Sequence, residues 1–148
     1  MNNSLPVILC VGSDKIMGDS VGPSVGDLLT KTLNIKCFVY GVTGRSVNGK
    51  NLNSFVDFIK IVHKDSPIIA VDACLSNTEE IENIRVLKGG VNPKRALTNL
   101  PNPVGDIGIL GVVDKIKPNP LSALLTVSSV NVQKICAKIA FVLSSAIY

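Results

Sequence analysis

The sequence is short of the residues by which reaction centres are usually recognised. Histidine occurs once in 148 residues, as His63, at the end of an amphipathic stretch and just before the turn into an apolar one. No Ser-His-Asp or Cys-His set can be built around a histidine so placed, which disfavours ordinary serine and cysteine hydrolase chemistry. The four cysteines, Cys10, Cys37, Cys74 and Cys136, are far apart and lack any C-x-x-C spacing, so neither structural zinc nor a redox dithiol is indicated. Three of them lie in apolar surroundings and read as small hydrophobes. Aromatic residues are limited to four Phe and two Tyr, and the lysines behind the net charge of +4 are scattered. No nucleic-acid partner is expected from that pattern. Apolar runs fall well short of the roughly 20 residues that cross a bilayer, so no membrane partner is expected either. No basic residue precedes the first apolar run, which argues against a signal peptide and makes a cytoplasmic location the expectation. Neither G-x-G-x-x-G nor the Walker A pattern occurs, and Gly12-Ser-Asp-Lys-Ile-Met-Gly is a weak candidate for holding phosphate.

What is present is a core. Hydrophobic residues make up 46% of the chain and charged residues 18%, which excludes disorder. A chain of this length buries roughly two thirds of its unfolded surface around one core, so one domain over residues 1–148 is expected. Residues 6–11 form a continuous apolar run closed by Gly12, as in a strand buried on both faces of a sheet. Val21, Val25, Leu28, Leu29 and Leu33 then recur at helical spacing, with Pro23 tolerable in a first turn, and predict a helix over 21–33. A second strand over 36–40 ends at Gly41, and residues 41–50 carry three glycines and read as an ordered loop. Leu52, Phe55, Val56, Ile59 and Val62 make an amphipathic helix that Asn51 is placed to cap. Pro67 opens a third strand that is apolar until Asp72. This β-α-β-α-β alternation predicts a mostly parallel sheet covered by helices on both faces. Residues 84–88 read as an antiparallel strand, 106–114 as a further strand, and 89–104 as a long loop with three prolines. A tail helix follows, with Val132, Ile135, Cys136, Ile139, Val142, Leu143 and Ala146 on one face. A helix so apolar could also serve a homo-oligomer as its contact.

Ligands of such sheets bind at the carboxyl ends of the strands, where Asp19 and Asp72 fall. Asp72 closes an apolar strand, and a carboxylate half out of water holds its proton more readily unless a cation or hydrogen bonds compensate. It reads either as an acid–base group or as a cap of the following loop paired with Arg45. Asp19, in Gly18-Asp-Ser-Val-Gly-Pro, reads either as a first-turn acid favoured by the helix dipole or as its partner. Two carboxylates in one cleft suit metal binding or acid–base hydrolysis. Cys74, two residues beyond Asp72, is better read as structural, and Asp14, Arg45 and Asp106 as loop residues of secondary interest. Lys15 and the Ser13 amide are where a nucleotide phosphate would sit if the loop after the first strand were used that way.

The segments Val11-Gly-Ser-Asp-Lys-Ile-Met-Gly-Asp-Ser-Val-Gly-Pro, Ile69-Ala-Val-Asp-Ala-Cys-Leu and Val104-Gly-Asp-Ile-Gly-Ile-Leu-Gly-Val-Val resemble the YyaC-type sporulation proteins of endospore-forming bacteria. Those are similar in turn to the germination protease, which degrades small acid-soluble spore proteins, and more distantly to the hydrogenase maturation endopeptidases. The germination protease carries its two essential aspartates in segments that match Asp19-Ser-Val-Gly-Pro and Ile69-Ala-Val-Asp72-Ala. Its Thr-Gly loop is similar to Gly41-Val-Thr-Gly-Arg-Ser. The resemblance implies a phosphorylase/hydrolase-like three-layer α/β/α sandwich with a mixed, mostly parallel sheet. It also implies a peptidase in the cytoplasm of the forespore or mother cell of a sporulating bacterium, acting on a peptide or small protein. Asp19 and Asp72 would be catalytic, and Gly41, Thr43, Gly44, Arg45 and Asp106 would bind substrate, with amides of the 41–44 loop or near Gly105 stabilising an oxyanion. No cofactor and no metal is implied, because the histidine that helps the maturation endopeptidases hold substrate nickel has no counterpart here. A non-catalytic spore binding or structural protein that keeps the protease fold, with or without a bound divalent metal, is the alternative.

Overall fold

The computed structural model describes residues 4–93 and 103–147. Five strands form one sheet in the order β2-β1-β3-β5-β4. β1 (Val7–Cys10) lies between β2 (Phe38–Tyr40) and β3 (Ile68–Leu75), parallel to both. β3 is also parallel to β5 (Ile107–Asp114), and β4 (Ile84–Lys88) closes the far edge antiparallel to β5. The continuous apolar runs are explained by burial on both faces, since alternate side chains of one strand enter two different cores. Val7, Leu9, Ile68 and Ala70 meet Leu52, Val56 and Ile59 of α2 (Leu52–Val62). Ile8, Cys10, Val71 and Ile109 meet Val21, Val25, Ile135 and Ile139 of α1 (Val21–Asp27) and α4 (Ser129–Ile147). The result is the expected α/β/α layering. From β1 the chain crosses to β2 on one side, then back past β1 to β3 on the other. Crossovers of one hand running in opposite directions put α1 and α2 on opposite faces.

Several local expectations are corrected. The helix predicted to run to Leu33 stays α-helical only to Asp27, and residues Leu28–Thr32 widen into a π turn. Thr30 donates its hydroxyl to the Gly26 carbonyl at 2.8 Å, and Leu33 N bonds back to Leu28 O. A hydroxyl competing for a ladder carbonyl loosens the last turn in this way. Asn51 does sit before α2, but its side chain closes the preceding loop, accepting from Asn48 N at 2.8 Å and donating to Ser46 O at 3.0 Å. β3 does not end at Asp72 but continues to Leu75, because β5 offers partners along the whole of that length. On α4, Ala140 replaces Val142 and Ala146 on the buried face. By length and composition α4 is apolar enough to cross a membrane, yet its Val132, Ile135, Cys136, Ile139 and Leu143 stripe is core. The long loop is pinned at its ends by paired bonds between Val91 and Val104, and residues 94–102 lie outside the described part.

The sequence reading missed α3 (Pro120–Leu125), although its start signal is complete. Asn119 accepts from Ser122 N at 3.2 Å and Pro120 occupies the first turn.

Candidate active site

The reversal of direction about β1 makes the β1/β3 boundary the point at which this kind of sheet opens a crevice at its carboxyl edge. Three loops meet there, held by backbone bonds. Val11 N donates to Val71 O on the β3 side, and Gly12 N donates to Val47 O on the β2 side, both at 2.8 Å. Ser13 N donates to Asp19 O at 2.9 Å, folding the loop after β1 back on itself through a 3-10 turn at Met17–Asp19. Asp19 is thus tied to the loop after β1, and the start of that loop is tied through Val11 to Val71, the residue before Asp72. The 3-10 turn packs against β3 and α3, with Gly18 pressed on Leu124. α1 begins in direct contact with the end of β1. A Cβ on Gly22 would stand 2.2 Å from the Val11 carbonyl oxygen, so only glycine allows that approach.

Asp72 is 7% exposed and, among the described residues, is buried as only Ser20 and Ser76 are of the other polar side chains. Its Oδ1 accepts from the Ala73 amide at 2.8 Å, and Leu110 is its neighbour across β5. It shares a sheet face with Ala70, the face toward α2 and the 41–48 loop. Asp19 is half-buried and closes the 3-10 turn. The residue capping α1 is Ser20, whose hydroxyl goes to Met17 O at 2.6 Å. Cys74 follows on the Asp72 face. Burial pushes its thiol up, Asp72 and Glu79 add to that, and Arg85 opposes it without cancelling it. Such a thiol is a poor nucleophile.

The glycine loop is built differently from the expectation. Gly41 is buried with φ +95° against the Cys10 carbonyl. The Thr43 amide donates to Asp27 Oδ1 at 3.1 Å and its hydroxyl to Oδ2 at 2.5 Å, while the Gly44 amide donates to Asp14 Oδ2 at 2.7 Å. Those two amides are therefore committed to carboxylates of the chain itself and are not oxyanion donors. Arg45 is exposed, its amide bonded to Val42 O. Asp14 and Asp27 thus pin the glycine loop, a role that sequence reasoning missed because the loop meets them only in the folded chain.

Asp106 and Gly105 are corrected outright. Both sit at the amino edge, where Asp106 Oδ2 accepts from Ile68 N at 2.7 Å and Gly105 lies against Ile68 and Ala70. Asp106 immediately precedes β5, which removes both residues from the carboxyl edge where Asp72 lies. His63 is at the amino edge as expected, its Nε2 paired with the Tyr40 hydroxyl at 2.7 Å. Among the described residues no three His, Cys, Asp or Glu side chains gather to hold a metal ion.

Comparison with known proteins places the chain. It belongs to the family described as protein of unknown function DUF1256, matched over residues 2–145. It is 32% identical over 108 residues to a Bacillus subtilis (strain 168) protein described as uncharacterized protein YyaC. That match covers 73% of the chain and 53% of the relative, so the chain spans about half the length of the curated relative. Among solved structures, the [NiFe] hydrogenase maturation protease HybD from Thermococcus kodakarensis superposes with a TM-score of 0.59 at 14% identity, covering 98% of this chain and 100% of that one. A hydrogenase 3 maturation protease does so with the same TM-score and identity, covering 97% and 91%. The fold is thus one found in maturation proteases.

Proposed function

We propose that this DUF1256 member is a peptidase that hydrolyses a peptide bond between Asp19 and Asp72. The observation that carries the reading is the buried Asp72 carboxylate on a central strand, at the carboxyl edge where the chain reverses about β1, the place at which such sheets hold ligands. One carboxylate takes a proton from water as its oxygen bonds to the scissile carbonyl carbon. The other, protonated because two close carboxyls resist ionising together, gives its proton to the departing amine. The maturation-protease likeness of the fold supports a peptide or protein as substrate. An association with sporulation, a single-domain chain and a cytoplasmic place in forespore or mother cell go with this reading.

Thr43 and Gly44 favour a second reading, in which the crevice binds a peptide without cutting it, because the amides that would stabilise an oxyanion are engaged elsewhere. Incubation of the full chain with a proteome-derived peptide library, read by mass spectrometry, separates the two. Cleavage should fall by about two or more orders of magnitude in both Asp19→Asn and Asp72→Asn, the scale on which a lost acid or base acts. Full activity in both variants refutes the catalytic roles. Retention of peptides without new termini favours binding.

A further inference from the structure

We propose that the amino edge of the sheet, opposite the aspartates, binds a small aromatic anion of the nucleotide kind. Two hollows adjoin there and share His63 and Ser66 as a common wall. The more polar one, of about 360 Å³, is lined by Lys60, Lys64 and Asp106. The other, of about 470 Å³, is lined by Leu5, Lys36 and Phe38. Each falls within the roughly 300–1,000 Å³ of small-molecule sites.

The chemistry of the two halves differs in the way an aromatic anion needs. Lys60 and Lys64 bring two ammonium groups to the polar half. The carboxylate facing them, Asp106, already accepts from the Ile68 amide. The half is cationic on balance, and ammonium donors bond phosphate or carboxylate oxygens strongly. In the other half Phe38 is 63% exposed, a large apolar ring left on an edge strand. Its ring lies 4.5 Å from that of His63, and His63 is held in turn by the Tyr40 hydroxyl. The wall of Phe38, His63 and Tyr40 is therefore tied together before any ligand arrives, and an exposed ring beside two lysines offers stacking next to charge.

The test is calorimetric titration of the full chain with AMP, adenosine and inorganic phosphate at low salt. AMP should bind tighter than either fragment, and binding should weaken as salt screens the lysines. Lys60→Ala with Lys64→Ala, and separately Phe38→Ala, should each weaken AMP by roughly tenfold or more. All three residues are exposed, so the variants keep the far-ultraviolet circular dichroism of the parent. Lys15→Ala, in the loop after β1, should change nothing. Phosphate binding as tightly as AMP, indifference to the lysine pair or to Phe38, loss of binding in Lys15→Ala, or no AMP binding at millimolar concentration would each overturn the proposal.

Discussion

Replacing Gly22 by alanine sets two well-known effects against each other, and the structure decides the sign. Alanine inside a helix is favoured over glycine by about 1 kcal/mol. The added methyl, however, would sit 2.2 Å from Val11 O and 2.8 Å from Val11 N and C. Relief to ordinary contact requires α1 to recede by roughly 1 Å, and forcing that much overpacking into a close-packed layer costs about 1–3 kcal/mol, occasionally more. The atoms struck are the backbone of Val11, just past β1, whose amide is bonded to Val71 and whose neighbour Gly12 is bonded to Val47, so this backbone cannot step aside. The upper part of that range applies, and a net loss of about 2 kcal/mol is expected, lowering Tm by roughly 4–8 °C for a chain of this size. Gly44→Ala is the control. It has φ +84° and nothing within 4 Å, so it carries only the left-handed penalty of about 1–2 kcal/mol and no clash. Thermal unfolding followed by circular dichroism reads both. A Gly22→Ala protein as stable as the parent or more so would show that helix propensity governs the position, and that α1 does not rest on β1 as described.

Asp27→Asn keeps the volume but removes the charge that holds the Thr43 amide and hydroxyl, and a loss of about 1–2 kcal/mol in urea denaturation is expected; an unchanged midpoint refutes the pin. Burial, followed by the nearby Cys136 and Asp27, pushes the Cys10 thiol far up, and burial takes Cys136 up to about 12 with a Ser24 hydrogen bond opposing. Both should react with a thiol reagent near neutral pH only as fast as the chain opens, and fast labelling of four thiols in the native state contradicts their burial. Burial raises the Asp114 carboxyl, but the Lys117 ammonium and the Lys115 amide more than offset it and hold it below the ordinary carboxylate range. A lowered folded value contributes stability that is complete above the unfolded value near 3.9 and vanishes as pH falls through the folded one. Lys117→Met should therefore lower stability slightly at pH 7, on the scale of an exposed ion pair, and the difference from the parent should vanish as pH falls below about 4; a difference that persists in acid refutes the assignment.

The layers were legible because burial on both faces writes itself as unbroken apolar runs, as in Val7 to Cys10, and because Val132, Ile135 and Ile139 keep helical spacing. What escaped was set by partners distant in sequence. The end of β3 depends on β5, some 40 residues on; Ala73, Cys74 and Leu75 are apolar enough to continue the strand, but the charged Asp72 interrupts the run and reads as its end. The engaged amides of Thr43 and Gly44 depend on Asp27 and Asp14, whose approach only the folded chain reveals. Asp106 was misplaced because a residue just before an apolar run marks the entry of a parallel strand, and entry and exit lie on opposite edges. α3 is a different case, since Asn119 and Pro120 announced it and six residues were too few to register as periodic.

Asp72 and Asp19 are mounted with unequal stiffness. Asp72 rides on β3, flanked by hydrogen-bonded strands on both sides, while Asp19 rides on a three-residue turn wedged against Leu124 of α3. That turn also touches α1, α4 and β3, so Asp19 is braced by several elements rather than by one strand ladder, and a defect in any one of them should be felt at Asp19 before it is felt at Asp72.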